Sequence, residues 1–349
     1  MVRARRLLAR LPVTGRAIRT VDQLRAQRDQ LRDERDRLRA QLQDVLDRDA
    51  PPAEGAGAGP VPAREVLAQP SFVARTESLR RARTRSRELW GRADPVWRYN
   101  DKEAGARLAT ELGLRVPRQL APPTLLEELR PPPVERCLLK PVSGTASRGV
   151  TPLVRQADGR WLNLFELGDG PQPWEAIRDE LAQLRAEGRI SRRFLVEELL
   201  VGPSPTELPY DYKCLCVGGE VQLVYARDVR NERFPRHSRY RYFSPTWEDL
   251  GPISTPAQLD PSIPPPRHAE ELLAAAAAVA GALPTPFIRV DLYDQPDGVV
   301  FGEITPQPGT NLWFGPELDR RLGEAWEDAE ARSWRPADVD DTGRPAGDA

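Results

Sequence analysis

Of the side chains that most often carry metal or redox chemistry, the chain has few: two histidines, three cysteines and one methionine in 349 residues. Cys137, Cys214 and Cys216 form neither an even set nor a CxxC pair, which argues against a disulfide framework. His237 and His268 are too few and too scattered to complete a structural zinc site. Cys214 and Cys216, two apart in an apolar run, share one face of a strand and read as core. Long hydrophobic runs are also missing. The longest, Leu272–Leu283, is 12 residues, against the roughly 20 that a membrane-crossing helix needs. The first 20 residues hold six arginines, no carboxylate and no continuous apolar stretch. They do not read as a secretory signal, so a cytoplasmic protein is expected.

Lysine is scarcer still. Of 51 basic residues only Lys102, Lys140 and Lys213 are lysines. Arginine evidently serves wherever charge alone suffices, so each remaining lysine is a candidate for a place that needs a compact ammonium, chance survival being the alternative. The net charge of −1 hides an asymmetry: residues 1–100 carry +9 and the remainder −10. A basic front with arginines and acids interleaved suggests a surface-binding or assembly arm, in contact with a partner protein or the inner membrane face, rather than a nucleic-acid-binding domain.

Along the chain, residues 1–20 form a basic segment and 21–48 a coiled-coil helix. Leu24, Leu31, Leu38 and Val45 recur every seven residues. Arg28 and Arg35 in the alternate seam position weaken the pairing, so a marginal homodimer or docking helix stands beside a solvated single helix. Residues 49–64, rich in Pro, Gly and Ala, read as a flexible linker. Residues 65–100 read as an Arg-rich helical segment and 335–349 as a disordered tail. Between them, helices and strands alternate with hairpins. Helices are expected over 101–114, 174–186 and 267–283, and strands over 136–141, 149–154, 193–200, 213–217, 220–225, 287–293 and 299–304. This is an α+β body with antiparallel sheets.

Two constellations carry chemistry. Lys140 ends an apolar strand and enters PVSGTASRGV, where Ser143, Gly144, Thr145, Ser147 and Gly149 let backbone N–H groups close over an anion. No GxxxxGK[ST] is present, so this is a phosphate-binding hairpin rather than a P-loop. Far downstream, FIRVDLYDQPDGVVFGEITPQPG puts Asp291 and Glu303 on adjacent strands of one hairpin, able to hold a hard cation through oxygen, with Arg289 on the face of Asp291. A magnesium site beside a permanent cation suits phosphoryl transfer. FLVEELLVG between them reads either as an ordinary strand end or as a hinge whose backbone meets adenine and whose Glu197 or Glu198 takes ribose hydroxyls. The stretch 227–247 is basic and aromatic. Its Arg227, Arg239 and Arg241 are candidates for binding an acidic acceptor, a solvated loop being the alternative.

Taken in order, Asp101-Lys102 opening a helix, LLKPVSGTASRGV, FLVEELLVG, DYKCLCVGGEV and RVDLYDQPDGVVFGEITPQPG resemble the ATP-grasp superfamily. The DYK, RVDLY and FGEIT segments are most similar to its TupA-like branch of teichuronopeptide biosynthesis. The resemblance covers about residues 97–327. It implies an ATP-grasp domain over 101–334, with a truncated N-terminal part at 101–135, a small ATP-binding subdomain at 136–202 and a larger, metal-holding one at 203–334. It also implies a Mg-ATP-dependent carboxylate–amine ligase acting through an acylphosphate on small-molecule carboxylate and amine substrates in cell-surface polysaccharide or peptide-conjugate biosynthesis. A kinase or phosphotransferase and a non-catalytic ATP-binding scaffold stand as alternatives. Carried over, Lys102 and Lys140 bind ATP phosphates, Ser143 to Gly149 cover them, and Glu197, Glu198 and Leu199 form the adenine hinge. Lys213 with Asp211 reaches phosphate or ribose, Arg289 stabilises the acylphosphate, and Asp291 and Glu303 hold Mg2+. Where many ATP-grasp ligases have asparagine as a further metal ligand, this chain has Thr305, a poorer magnesium donor, with Asn311 or water as substitutes.

Overall fold

Helix α1 (Phe72–Trp90) begins where the Ser71 hydroxyl accepts from the Ala74 N–H, 3.1 Å away, and α2 (Lys102–Glu111) where the Asp101 carboxylate accepts from Glu103 and Ala104. The computed structural model describes residues 69–91, 94–142, 148–188, 190–229, 238–255, 258–308 and 313–333, all within a unit spanning Leu67–Ala349. The coiled-coil, linker and tail expectations, and those on Ser143, Gly144, Thr145, Ser147, His237 and Asn311, lie outside the described residues.

The first sheet is built from β1 (Gln119–Leu125), β2 (Arg136–Pro141), β3 (Thr151–Arg155), β4 (Trp161–Asn163) and β5 (Arg193–Glu197), in the order β1-β5-β2-β3-β4 and antiparallel throughout. Every second residue of β2 is buried, and Cys137 and Leu139 face the apolar stripe of α3 (Trp174–Ala186), formed by Trp174, Ile177 and Leu181. The span between the helix expected over 101–114 and β2, where the sequence marks no strand, contains β1. Its two prolines suit an edge strand, and among the described residues it pairs only with β5, through an irregular register.

The second sheet contains β6 (Asp211–Val217), β7 (Glu220–Asp228), β8 (Arg239–Phe243), β10 (Gln258–Leu259), β11 (Phe287–Gln295) and β12 (Gly298–Thr305), ordered β10-β8-β7-β6-β11-β12. The short strands β9 (Ser254–Thr255) and β13 (Trp313–Phe314) pair with each other. One face, with Tyr212, Cys214, Cys216, Ile288, Val290 and Leu292, packs on the Ala-rich helix α4 (Ala269–Gly281). At one end of the opposite face, Leu215, Val217 and Phe287 pack under α1 and α5 (Pro316–Ser333). The polar residues of β6, β11 and β12 occupy the rest of that face. Among the described residues no helix is long and apolar enough to cross a membrane.

Candidate active site

The registers place the charged residues. Asp291 pairs with Lys213 of β6 on one side and with Glu303 of β12 on the other, and Arg289 pairs with Thr305. Directly paired residues share a face, so Lys213, Arg289, Asp291, Glu303 and Thr305 project together, away from α4. A bulge after Asp291 makes room for Gly302. A Cβ there would lie 2.8 Å from the Tyr293 ring and 2.9 Å from the Asp291 carbonyl oxygen, so only glycine lets β12 approach this closely.

Asp291 is buried and receives the Arg289 fork, Nε to Oδ1 at 2.6 Å and Nη2 to Oδ2 at 2.7 Å, together with the Lys213 ammonium on Oδ2. Burial alone would raise the Asp291 carboxyl, but the Arg289 and Lys213 charges outweigh it and hold the group well below the usual carboxylate range. Lys213 is shared with Asp211 at 2.6 Å, and Arg227 lies 3.5 Å from the same Asp211 oxygen. Arg289 also reaches Glu303 Oε1 at 3.3 Å and donates to the Thr305 hydroxyl at 2.9 Å. Thr305 is thereby a partner of the arginine.

On the first sheet, Lys140 meets Glu197 at 2.5 Å across adjacent strands, and both are largely buried. Gly149, which closes the hairpin after Lys140, has φ +71°, and a Cβ would fall 2.9 Å from the Pro141 ring. Glu198 is tied back to β1: its carboxylate accepts from the Arg118 N–H at 2.8 Å and lies 3.6 Å from Arg115. Leu199 is buried in the segment that leaves β5.

Lys102 joins the two sets. Burial lowers its pKa and the Lys140 charge adds to that, while Glu303, Glu197 and Asp101 oppose. One ammonium on α2 therefore stands within electrostatic reach of Lys140 and Glu197 from the first sheet and of Glu303 from the second.

The structure does not bring Arg239 and Arg241 to the face of Asp291. Arg241 pairs with Ala226 and Arg239 with Asp228, on the α4 side of the sheet and away from Asp291, whereas Arg227 pairs with Tyr240 on the charged side. Arg241 is also committed to Asp249 at 2.8 Å and to the Ile263 carbonyl at 2.7 Å, and Arg239 lies 3.6 Å from Asp260.

Two residues escaped the sequence reading. Gln295, 2% exposed, accepts from the Val201 N–H at 2.8 Å and donates to the Val201 carbonyl at 3.1 Å, pinning the segment between the sheets to the end of β11. Tyr293 shares the face of Asp291. Burial raises its phenol, with Asp211, Glu303 and Asp291 adding and Arg227 opposing. Its spacing of two from Asp291 was the available signal.

Among the described residues no three histidine, cysteine or carboxylate side chains form a metal cluster. The donor set nonetheless fits magnesium, which takes one or two carboxylates and completes its shell with water and substrate phosphate oxygens. Glu303, 44% exposed, presents a reachable carboxylate, with Asp291 paired opposite it.

The TupA-like ATP-grasp family model matches residues 82–327. No curated protein matches the chain significantly. Among solved structures it is similar to the D-alanine–D-alanine ligase from Bacillus anthracis complexed with ATP, at 14% identity and TM-score 0.38, covering 67% of this chain and 65% of that one. It is similar also to the ATP-grasp ligase PsnB with a phosphomimetic variant of its minimal precursor, Mg and ADP, at 16% identity and TM-score 0.37, covering 78% and 75%. The L-amino acid ligase from Bacillus licheniformis matches at 14% identity and TM-score 0.35, covering 61% and 41%. The chain thus spans about two thirds of the length of the first of these ligases.

Proposed function

The chain belongs to the TupA-like ATP-grasp family and has its α+β fold, and from that membership we propose that it is a Mg-ATP-dependent ligase joining a carboxylate to an amine. The observation that carries the reading is the register that sets Asp291 between Lys213 and Glu303 with Arg289 on the same face. Triphosphate beside this face would meet the Arg289 guanidinium, with the Lys102 and Lys140 ammonium groups as its further cations. Glu303 would hold magnesium, joined by Asp291 where its Arg289 or Lys213 contact gives way to the ion, and the metal would supply charge neutralisation of the phosphate oxygens.

The residues of the chain divide the remaining work. Lys102 and Lys140 orient the phosphates. Lys213 and Arg289 keep Asp291 ionised and fixed, and Arg289 lies between Glu303 and Thr305, where it can meet charge on a transferred phosphoryl group. In the reaction the substrate carboxylate oxygen forms a bond to the γ-phosphorus and the bond to ADP breaks. The amine then attacks the acyl carbon, phosphate leaves with the former carboxylate oxygen, and the amine gives up a proton. The participation of a cell-surface polysaccharide or peptide conjugate belongs to this proposal and rests on the family alone.

The test is incubation of the full chain with Mg-ATP and pooled carboxylic acids and amines, following ADP, phosphate and product mass. Stoichiometric ADP and free phosphate with an amide product are expected. A stable phosphorylated product would favour the kinase reading instead. Nucleotide binding without turnover across the whole pool would favour the scaffold.

A further inference from the structure

Arg80, Arg83 and Arg87 recur at spacings of three and four on α1 and so line one side of that helix. Together with Thr84, Asp94, Trp97 and Gln307 they line a partly open pocket of about 200 Å3. Its charge is unbalanced: with Arg80 paired to Glu77 outside the pocket, Arg83 and Arg87 are left with one carboxylate, Asp94, which is spent on Arg83 and on the Val96 N–H. Arg83 is the built element. Its side chain is 8% exposed, Nε donates to Asp94 at 2.6 Å, Nη1 donates to the Pro306 carbonyl at 2.7 Å, and Cζ lies 5.9 Å from the Trp97 ring centroid. Its Nη2 is buried and has no hydrogen-bond partner among the described residues. A buried charged donor left unpaired is costly, and an oxyanion is the group a guanidinium fork satisfies best. Arg80 is bonded to Glu77 on the exposed side, whereas Arg87 is exposed and forms no ion pair among the described residues.

The position ties this pocket to the candidate active site. Pro306 directly follows Thr305, whose hydroxyl is bonded to Arg289, and Gln307 is one residue further. Two residues of chain span at most about 7 Å. The pocket wall at Pro306 and Gln307 thus continues directly from the strand end that carries Glu303 and Thr305.

We propose that this pocket is the subsite for an oxyanion, a carboxylate or a phosphate, carried by the acceptor substrate at a point remote from its reacting group. The inference rests on the ligase reading for what lies at the substrate's other end. The pocket's own chemistry stands on Arg83, Arg87 and the cavity they share. Carboxylate and phosphate present the same bidentate oxygen edge, and the experiment separates them.

Isothermal titration of the full chain with glutarate and with glycerol 3-phosphate, beside uncharged glutaramide and glycerol, tests the subsite. Wild type is expected to bind at least one anion saturably and neither neutral compound, and the tighter anion identifies the preferred group. Arg87→Gln should weaken that binding about ten-fold, the loss of one charge-assisted hydrogen bond. Arg83→Lys, which keeps the charge and removes the fork, should weaken it similarly. Circular dichroism reports whether Arg83→Lys folds, and if it does not, Arg87→Gln decides alone. No saturable anion binding by wild type, or anion binding that Arg87→Gln leaves intact, overturns the proposal. A parallel titration of wild type with Mg and a non-hydrolysable ATP analogue separates the two readings. Anion binding without nucleotide binding removes the ligase and leaves the pocket, and the reverse removes the pocket alone.

Discussion

Asp291 is 1% exposed and is held between two cations, Arg289 and Lys213. Breaking such a cluster from one side leaves buried charge uncompensated, so Asp291→Asn should cost about 3–5 kcal/mol of stability near neutral pH. The sign with pH follows from the depressed folded-state value. The stabilisation is fully present above the unfolded aspartate value of about 4 and is lost as pH falls through the lower folded value. Urea titrations of wild type and variant at pH 7 and pH 3 should therefore show a gap that narrows at the lower pH, and an equal gap at both would contradict the arrangement. The pairing of Asp291 with Glu303 was legible because a DQPDG turn fixes the hairpin and period-two alternation fixes the face. The strand that carries Arg239 and Arg241, β8, was not legible, because five arginines among polar residues look like a loop until Tyr240 and Tyr242 are seen to alternate with the last two of them, packed beside Tyr225.

Between the sheets, at the scale of an element, the chain leaving β5 is held at Glu198 by Arg118 and by the burial of Leu199 and Leu200, whereas its far end, Val201, depends on one side chain. Val201 is 56% exposed, and its two backbone hydrogen bonds both go to the single side chain of Gln295. Gln295→Ala should cost about 1–2 kcal/mol. It should also speed hydrogen exchange of the Val201 amide by roughly ten-fold or more while leaving the amides at the centre of β6 unchanged, since only local opening is affected. Uniform acceleration in both places would mean that Gln295 supports the sheet as a whole. Nothing in the sequence marked this tie, because a glutamine beside a turn has no periodic signature. Edge strand β1 was hidden for the opposite reason, since its prolines signal a break and only its edge position makes them tolerable.

For the whole molecule, the boundary of the folded body lies further toward the N-terminus than the motifs suggest. The resemblance begins near residue 97 and the family model at residue 82, yet Phe72, 1% exposed, sits among the rings of Phe287, Phe314 and Trp326 with centroids 5.3, 5.9 and 6.1 Å away. Helix α1 was legible as a helix but not as core, because a single aromatic residue ahead of an arginine-rich run forms no apolar stripe. The approach of α1 to α5 confirms how closely it is seated: a Cβ on Gly323 would fall 2.3 Å from the Ser71 nitrogen. The helix that carries Arg80, Arg83 and Arg87 is therefore anchored to the same sheet that carries Asp291. Phe72→Ala should cost about 3–5 kcal/mol, the usual range for emptying a buried phenylalanine site, and should lower the midpoint of one cooperative urea transition followed by tryptophan fluorescence. Were α1 a separate appendage, the substitution would leave that midpoint where it is, and the arginines would have no fixed position relative to Glu303.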